Sequence, residues 1–268
     1  MINKQHKSPS KPWFSGYFRP VKKSSNSNII KDRDRIEKNK SFVNIEGFNT
    51  LRNNLRICLK KDSGNRVIVT RPLAGDGKST CSSNLAISLA NANKKVLIID
   101  CDLRKPVIHK TFSLNNKQGL SDVLSSLTSV SQCIQETSYS NLWAISAGTN
   151  APNPSELLSS EEMKDLIYDL SNKYDYIIFD CPPINVVSDA LPLFEWVDGV
   201  ILVIRYNKTT HPEIQKAISV VNFAKANLFG VFFYDKPMQN TKYGYKYKNK
   251  YYNRYYSRYS HYSYYNKE

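Results

Sequence analysis

The stretch 67–80 reads VIVTRPLAGDGKST and decides the fold, because it predicts a strand, a phosphate-binding loop and the start of a helix. Its apolar, β-branched beginning is typical of a buried strand, and residues 82–90 favour a helix. Between them, glycines let the backbone curl so that successive N–H groups converge on phosphate oxygens, and a lysine neutralises phosphate charge. The predicted nucleotide-binding residues are Gly75, Asp76, Gly77, Lys78, Ser79 and Thr80.

This loop departs from the strict P-loop pattern at one position. The pattern asks for glycine at position 72, where this chain has Pro72. A GKST sequence alone arises often by chance, but its place directly after a strand and before a helix makes the prediction specific. Within the loop, the hydroxyl of Ser79 is expected to bind Mg²⁺.

Outward from the loop, apolar runs alternate with segments of helix spacing. Buried strands are predicted at 67–70, 96–100, 176–180, 200–204 and 228–234, and helices at about 79–92, 121–127, 161–172 and 212–226. A first amphipathic helix is predicted from the apolar positions Phe48, Leu51, Leu55 and Leu59. The alternation predicts an α/β fold of the P-loop NTPase-like type, a doubly wound, mostly parallel sheet with helices on both faces.

Three aspartates follow two of the predicted strands. Asp100 and Asp102 end the run that starts at Val96, and Asp180 ends the run that starts at Tyr176. Each aspartate alone could be an ordinary turn or strand-end residue. Because the carboxyl ends of parallel strands meet at one edge of a sheet, we expect the three to converge on the phosphate loop, where Mg²⁺ and a general base are needed.

The formal net charge of +15 belongs to the ends of this 268-residue chain. Residues 1–40 carry eleven Lys and Arg against three acids and residues 236–268 carry eight against one, whereas residues 41–235 hold nineteen of each. A neutral middle argues against a dedicated nucleic-acid binder, so no nucleic acid is expected as a partner. We interpret 1–40 as a disordered basic N-terminal lead, 41–235 as the P-loop domain and 236–268 as a disordered tail.

The cysteines and the hydropathy indicate an intracellular protein. The five cysteines are scattered, without a CxxC pair or metal-site spacing, and are interpreted as buried thiols in a reducing cytosol. No apolar run approaches the roughly 20 residues that cross a bilayer, and the N-terminus lacks the apolar region of a signal peptide. We expect a cytoplasmic protein that reaches a membrane only through a partner or its basic ends.

The tail concentrates eleven of the eighteen tyrosines of the chain in its last 26 residues. They are Tyr243, Tyr245, Tyr247, Tyr251, Tyr252, Tyr255, Tyr256, Tyr259, Tyr262, Tyr264 and Tyr265. Rings spaced by charged and polar residues bury too little surface to offset the entropy of ordering the backbone. By itself the tail is either a basic, aromatic strip for nucleic acid or self-association, or a substrate of something that acts on its hydroxyls.

These motifs together resemble the bacterial tyrosine kinases of capsule and exopolysaccharide systems. The resemblance rests on the modified P-loop, the strand ends at Asp100-Cys101-Asp102-Leu103-Arg104 and Asp180-Cys181-Pro182-Pro183, and the terminal tyrosine cluster. Supporting stretches lie at 119–124, 152–158 and 187–190, and the resemblance covers residues 41–268. It implies that 41–235 is a kinase domain that uses ATP and Mg²⁺ to phosphorylate the tail tyrosines of its own kind, as a tail enters the active site of a neighbour in a ring.

The resemblance also assigns roles to residues. Lys78 and the backbone of 75–80 would hold the phosphates, and Ser79 and Asp180 would bind Mg²⁺. Asp100 and Asp102 would share metal positioning and acceptance of the tyrosine proton, with Asp100 favoured as base. The implied catalytic residues are Lys78, Asp100, Asp102 and Asp180, and the implied metal residues are Ser79, Asp100, Asp102 and Asp180.

Partners follow from the same resemblance. The separate kinase form has no membrane segment and is activated by the C-terminal cytoplasmic piece of a transmembrane partner of the polysaccharide co-polymerase type. A homo-oligomeric ring, a tyrosine phosphatase that reverses the reaction, and other protein substrates complete the expected set. The protein is therefore expected in the cytoplasm, held at the inner face of the cell membrane through its partner.

Two positions depart from the family pattern. The subunit-contact helix of the family carries Glu-x-x-Arg-x-x-Arg, whereas this chain has Glu46, Asn49 and Arg52 at those positions. Glu46 and Arg52 are the expected oligomer contacts, and the missing arginine either weakens the expected ring or is compensated by Arg56, one turn on. Tyr234 ends the last strand where related ATPases usually place an asparagine against adenine, which puts base recognition there in question.

Two other function classes share this fold. A partitioning or septum-placing ATPase would carry a second lysine early in the loop, where this chain has Leu73, and would lack a tyrosine tail. An inactive scaffold would have lost catalytic residues, but Lys78, Ser79 and the aspartates are present. The sequence therefore favours a tyrosine autokinase.

Overall fold

The computed structural model describes residues 17–18, 42–59 and 64–234, and its strands form a single sheet. Its strands are β1 (Tyr17–Phe18), β2 (Arg66–Thr70), β3 (Val96–Asp100), β4 (Ile134–Glu136), β5 (Leu142–Ile145), β6 (Tyr176–Asp180), β7 (Gly199–Arg205) and β8 (Leu228–Tyr234). They lie in the order β1-β8-β7-β2-β6-β3-β5-β4. Neighbouring strands are parallel except β4, which runs antiparallel to β5 at the edge. The predicted doubly wound, mostly parallel α/β fold is confirmed.

The helices cover both faces of this sheet. They are α1 (Phe42–Cys58), α2 (Lys78–Ala90), α3 (Ile108–Phe112), α4 (Leu120–Leu124), α5 (Val130–Cys133), α6 (Pro154–Leu158), α7 (Glu161–Ser171) and α8 (His211–Phe223), and a 3₁₀ turn spans Leu191–Glu195. One apolar cluster contains buried residues of α1, α2 and α3, and another contains those of α4, α6, α7 and α8. Within β2, Val67 and Val69 join the first cluster and Ile68 the second, as the alternation of side chains along a strand requires.

The first helix forms where its apolar spacing predicted. Phe48, Leu51, Leu55 and Leu59 are all buried, because positions three and four apart share one helix face. The Phe48 ring also stacks on Phe232 of β8, with centroids 5.6 Å apart. Helix α1 therefore packs on the face of the sheet that carries α2 and the phosphate loop.

Some predictions fall outside the described residues. The predicted disordered lead at 1–40 lies outside them, apart from Tyr17–Phe18, which forms a two-residue strand beside β8. The whole tyrosine-rich tail at 236–268 also lies outside the described residues, and the three-part division of the chain stays a prediction. All five cysteines are described and are free thiols. Across the described part of the chain, we find no helix of the length and apolarity that a bilayer crossing requires.

Candidate active site

The phosphate loop lies between the end of β2 and the start of α2, as predicted. Helix α2 begins at Lys78, so its first N–H groups face the loop. Gly75 and Gly77 both have φ of +88°, a left-handed conformation that glycine adopts without strain. A Cβ atom on Gly77 would also lie 2.5 Å from the ring of Tyr234. The two glycines thus give the loop the curl that a phosphate cradle needs.

The sheet register brings the predicted aspartates next to this loop. Strand β6 lies between β2 and β3, so that Asp180 pairs with Val69 on one side and with Asp100 on the other. All three aspartates are buried, with Asp100 and Asp180 at 0% exposure and Asp102 at 4%. The predicted convergence of the strand-end carboxylates on the loop is therefore present in the structure.

Lys78 is the cation at the centre of the cluster. Its Nζ atom lies 2.9 Å from Oδ2 of Asp180 and 3.2 Å from Oδ2 of Asp102, and the side chain is 1% exposed. Burial by itself would lower the pKa of Lys78, but the negative charges of Asp180 and the two other aspartates outweigh it and raise that pKa. Lys78 is therefore held as a buried ammonium at the N-terminus of α2.

Asp180 accepts hydrogen bonds from two hydroxyl groups in the first turns of α2. Ser79 Oγ donates to Asp180 Oδ2 at 2.8 Å, and Ser82 Oγ donates to Asp180 Oδ1 at 2.6 Å. Ser82 was not among the predicted site residues. The signal that could have identified it is its spacing, three residues after Ser79, which places both hydroxyls on the same helix face. The structure thus positions Asp180 through both of its oxygens.

Asp100 is held differently from the other two aspartates. Its Oδ2 accepts the N–H groups of Val107 and Ile108, each at 2.9 Å, and its Oδ1 accepts the N–H of Asp102 at 3.3 Å. Burial, followed by the charge of Asp180, raises the pKa of Asp100 to about 7, against the opposing effects of Lys78 and the two N–H groups. The N–H groups of Val107 and Ile108 thus join Asp100 to the loop after β3.

Asp102 links that same loop to the lysine. Its Oδ2 faces Lys78 Nζ, and its Oδ1 accepts the N–H of Lys105 at 3.1 Å. Of the predicted catalytic set, the structure thus brings Lys78, Asp102 and Asp180 into direct contact. Asp100 is instead held by the backbone N–H groups of Val107 and Ile108.

The cluster fits a phosphate-bound magnesium ion. In P-loop NTPases the loop Ser or Thr and a strand-end Asp hold Mg²⁺, and here Ser79 Oγ and Asp180 Oδ2 are in contact. No group of three His, Cys, Asp or Glu side chains forms a metal cage among the residues described. Mg²⁺ in such sites takes only one or two protein carboxylates and completes its shell with phosphate oxygens and water.

Comparisons with known proteins agree with this geometry. Residues 65–228 match the family model of an AAA domain. The chain is 39% identical over 204 residues to the tyrosine-protein kinase YwqD of Bacillus subtilis (strain 168), a match that covers 76% of this chain and 86% of that protein. The chain belongs to the bacterial tyrosine-protein kinases. It is accordingly an enzyme, a protein-tyrosine kinase, as the resemblance predicted.

Further relatives of the kinase extend the match. The putative tyrosine-protein kinase CapB of Staphylococcus aureus is 36% identical over 210 residues, which cover 78% of this chain and 92% of that protein. The kinase domain of the Escherichia coli tyrosine kinase ETK superposes with a TM-score of 0.74 at 29% identity, covering 84% of this chain and 88% of that one. The septum site-determining protein MinD of Pyrococcus horikoshii OT3, 22% identical over 63% of this chain and 69% of its own, has a TM-score of 0.55 and shares the fold.

The residues predicted as oligomer contacts of the kinase lie on α1. Glu46 is exposed, whereas Arg52 is half-buried and donates to the carbonyl and the hydroxyl of Ser88 on α2, at 2.9 and 3.2 Å. Asn49, which replaces the arginine of the family pattern, accepts a hydrogen bond from Ser88 Oγ at 3.2 Å. These contacts join α1 to α2 within the same chain, and the contact role of Glu46 and Arg52 stays a prediction.

Tyr234 of the kinase packs against the phosphate loop. The side chain is 2% exposed, and its ring comes within 2.5 Å of the position that a Cβ atom on Gly77 would take. The structure therefore gives this departure from the family pattern a packing role against the P-loop. A bulkier residue at position 77 would collide with it.

Proposed function

We propose that this kinase transfers the γ-phosphoryl group of Mg-ATP to the tyrosines at 243–265 of a neighbouring copy, and thereby regulates capsular or exopolysaccharide synthesis and export. The observation that carries the proposal is the contact among Lys78, Ser79 and Asp180 at the mouth of α2. A P-loop lysine and a metal-binding pair of this kind supply the positioning and charge neutralisation that phosphoryl transfer requires. The tail supplies hydroxyl acceptors in the same chain.

Each residue of the cluster takes a defined part. The N–H groups of 75–80 and the ammonium of Lys78 would bind and orient the phosphates, and Ser79 and Asp180 would hold the metal. Bound Mg²⁺ supplies neutralisation of the charge that builds on the transferring phosphoryl group. Ser82 positions Asp180 by donating to the oxygen that Ser79 does not reach.

The acceptor tyrosine must lose a proton during the transfer. As its hydroxyl oxygen bonds to the γ-phosphorus, the bond from that phosphorus to the bridging oxygen of ADP breaks, and the hydroxyl proton passes to a carboxylate. We assign that carboxylate to Asp100, with Asp102 sharing metal positioning. Oδ1 of Asp100 is the oxygen better suited to this role, since it accepts one N–H, that of Asp102 at 3.3 Å, whereas Oδ2 accepts two backbone N–H groups at 2.9 Å.

The buried state of Asp100 gives a pH-dependent stability. In the metal-free, nucleotide-free protein its pKa is about 7, whereas in the unfolded chain it returns to the ordinary value of about 3.9. Between these values only the folded state keeps the proton, so the free energy of unfolding falls as pH rises, by up to about 1.4 kcal/mol per pH unit. Below about pH 4 and above about pH 7 this contribution is constant.

In the Asp100→Asn variant, the side chain at position 100 cannot bind this proton, so its contribution to the pH dependence of stability is lost. The stability of the variant relative to wild type is expected to rise from pH 5 to pH 7 and then to level off, as measured by urea unfolding without divalent cations. Asp169→Asn, at an exposed position on α7, serves as the matched control and should give a difference that does not change with pH. Parallel curves for wild type and Asp100→Asn would mean that Asp100 is ionised throughout the folded state.

The proposed setting includes partners and a place in the cell. We infer that the kinase forms a ring through Glu46 and Arg52 and is activated by the C-terminal cytoplasmic segment of a transmembrane polysaccharide co-polymerase-type protein. A tyrosine phosphatase would return the tail to its starting state. The kinase would then work in the cytoplasm, at the inner face of the membrane to which its partner holds it. This part of the proposal is supported by the family to which the chain belongs.

A two-chain experiment tests the proposed reaction and its direction. A copy that lacks 243–268 serves as the donor enzyme, and full-length Lys78→Met serves as the acceptor. With Mg-ATP, and with or without the cytoplasmic peptide of the activator, mass spectrometry should find phosphotyrosine in the tail of the acceptor. EDTA should prevent it. Modification that occurs only when the active site and the tail belong to one chain would contradict transfer between neighbours.

A further inference from the structure

A lysine outside the predicted motifs lies against the phosphate loop. Strand β7 ends at Arg205, and the following turn carries Lys208, whose Nζ donates to the carbonyl of Ala74 at 2.8 Å. A Cβ atom on Gly75 would lie 2.8 Å from this Nζ, so the ammonium occupies the space that a side chain at 75 would take. Arg205 adds a hydrogen bond from Nη1 to the carbonyl of Gly75 at 3.4 Å.

The same ammonium faces a buried carboxylate. Asp76 is 1% exposed, and neither of its carboxylate oxygens accepts a hydrogen bond from any group in the described residues. Lys208 Nζ lies 3.6 Å from Asp76 Oδ1, whereas the lysine side chain itself remains 44% exposed. A buried carboxylate is costly unless a cation or hydrogen-bond donors compensate its charge. Lys208 is the cation in place to do so.

These contacts fix the direction of two peptide groups in the loop. In a planar trans peptide, the C=O of one residue and the N–H of the next point to opposite sides. Holding the carbonyls of Ala74 and Gly75 on the side of Lys208 and Arg205 therefore turns the N–H groups of Gly75 and Asp76 to the other side. Phosphate binding by a P-loop depends on such aligned N–H groups.

We propose that Lys208, assisted by Arg205, is a positioning residue that keeps the phosphate loop in its binding shape before a nucleotide arrives. The inference rests on the proposed binding of ATP by this loop. It adds to that function a cation supplied by the β7–α8 turn, which acts through the loop carbonyls and Asp76 and does not touch the phosphates. Lys208 thereby lowers the conformational cost of binding, for ADP and ATP alike.

Hydrogen exchange in the nucleotide-free kinase tests the first consequence. Amides of 73–79 should exchange faster in Lys208→Met than in wild type, because the loop carbonyls lose their anchor. Lys208→Arg should restore slow exchange, since a guanidinium can still donate to the Ala74 carbonyl. Lys216→Met, at an exposed lysine on α8, is the matched control and should leave exchange in the loop unchanged. Unchanged exchange in Lys208→Met would overturn the proposal.

Nucleotide affinity tests the second consequence. If the loop adopts its binding shape for only a tenth of the time in Lys208→Met, the dissociation constants of both ADP and ATP rise about tenfold. The KM for ATP should rise to a similar extent, while kcat at saturating ATP stays within about twofold. Lys208→Arg should recover most of the affinity.

The outcomes separate this inference from the proposed function. A loss of affinity for ATP but not for ADP would show that Lys208 contacts the γ-phosphate, and would overturn a role through the loop. A kcat that falls with KM unchanged would overturn it as well. If wild type bound neither nucleotide, the proposed function would fail, while the exchange measurement in the nucleotide-free protein would still decide the role of Lys208.

Discussion

Replacing Lys78 with methionine is expected to lower phosphotyrosine formation by at least about 100-fold, because the phosphates lose the buried cation that neutralises them. Lys78 Nζ is also the ammonium that faces Asp102 and Asp180 at 3.2 and 2.9 Å. Without it, these carboxylates hold negative charge against the negative charge of ATP, so that nucleotide binding weakens together with catalysis. The measurement is anti-phosphotyrosine labelling of the full-length chain in Mg-ATP, quantified over time.

The controls for this variant must separate catalysis from folding. Removing one partner of a buried ion pair commonly destabilises a protein by about 3–5 kcal/mol, so labelling is compared only under conditions where thermal unfolding shows that the variant is folded. Lys173→Met, at an exposed lysine that pairs with Asp169 on α7, should label like wild type. Full labelling by folded Lys78→Met would remove the P-loop lysine from the mechanism and favour another site for the phosphates.

The local patterns of the sequence predicted most of the central fold. Strands β2, β3, β6, β7 and β8 occur close to where short apolar runs of β-branched and aromatic residues indicated them. Strands β4 and β5 were missed, because they are only three and four residues long and one of them is at most half-buried. The short helices α3, α5 and α6 offer too few turns to show a period.

The candidate site likewise has features that local sequence patterns predicted and features that they did not. The P-loop and the strand-end aspartates are contiguous motifs, and parallel-sheet geometry alone predicted that they would meet. The pairing of Lys208 with Ala74 joins residues 134 apart in sequence, and no local pattern indicates which lysine will fold back onto the loop. The difference between Asp100 and Asp102 was equally hidden, since it arises from the backbone N–H groups of Val107 and Ile108.

Changing all eleven tail tyrosines to phenylalanine is expected to abolish most phosphotyrosine in the kinase while leaving nucleotide binding unchanged. Phenylalanine keeps the ring and the basic spacing of the tail and removes only the hydroxyl acceptors. Tyr168→Phe, at an exposed tyrosine on α7, is the matched control and should label like wild type. Deleting 243–265 should likewise leave ATP binding and thermal unfolding intact, and loss of the fold in that deletion would contradict the interpretation of a disordered tail.

The charge of the tail gives this prediction a second readout. Residues 236–268 carry eight Lys and Arg against one acid, and each phosphate adds about −1.5 to −2 near neutral pH. About four modified tyrosines would thus take the tail from +7 to neutrality, and further ones would make it negative. In the proposed ring, a cationic tail would be attracted to a neighbouring site that holds Mg-ATP, and an anionic tail would be repelled from it. Wild-type oligomers should therefore dissociate as labelling proceeds, as followed by light scattering, whereas oligomers of the phenylalanine variant should persist in Mg-ATP.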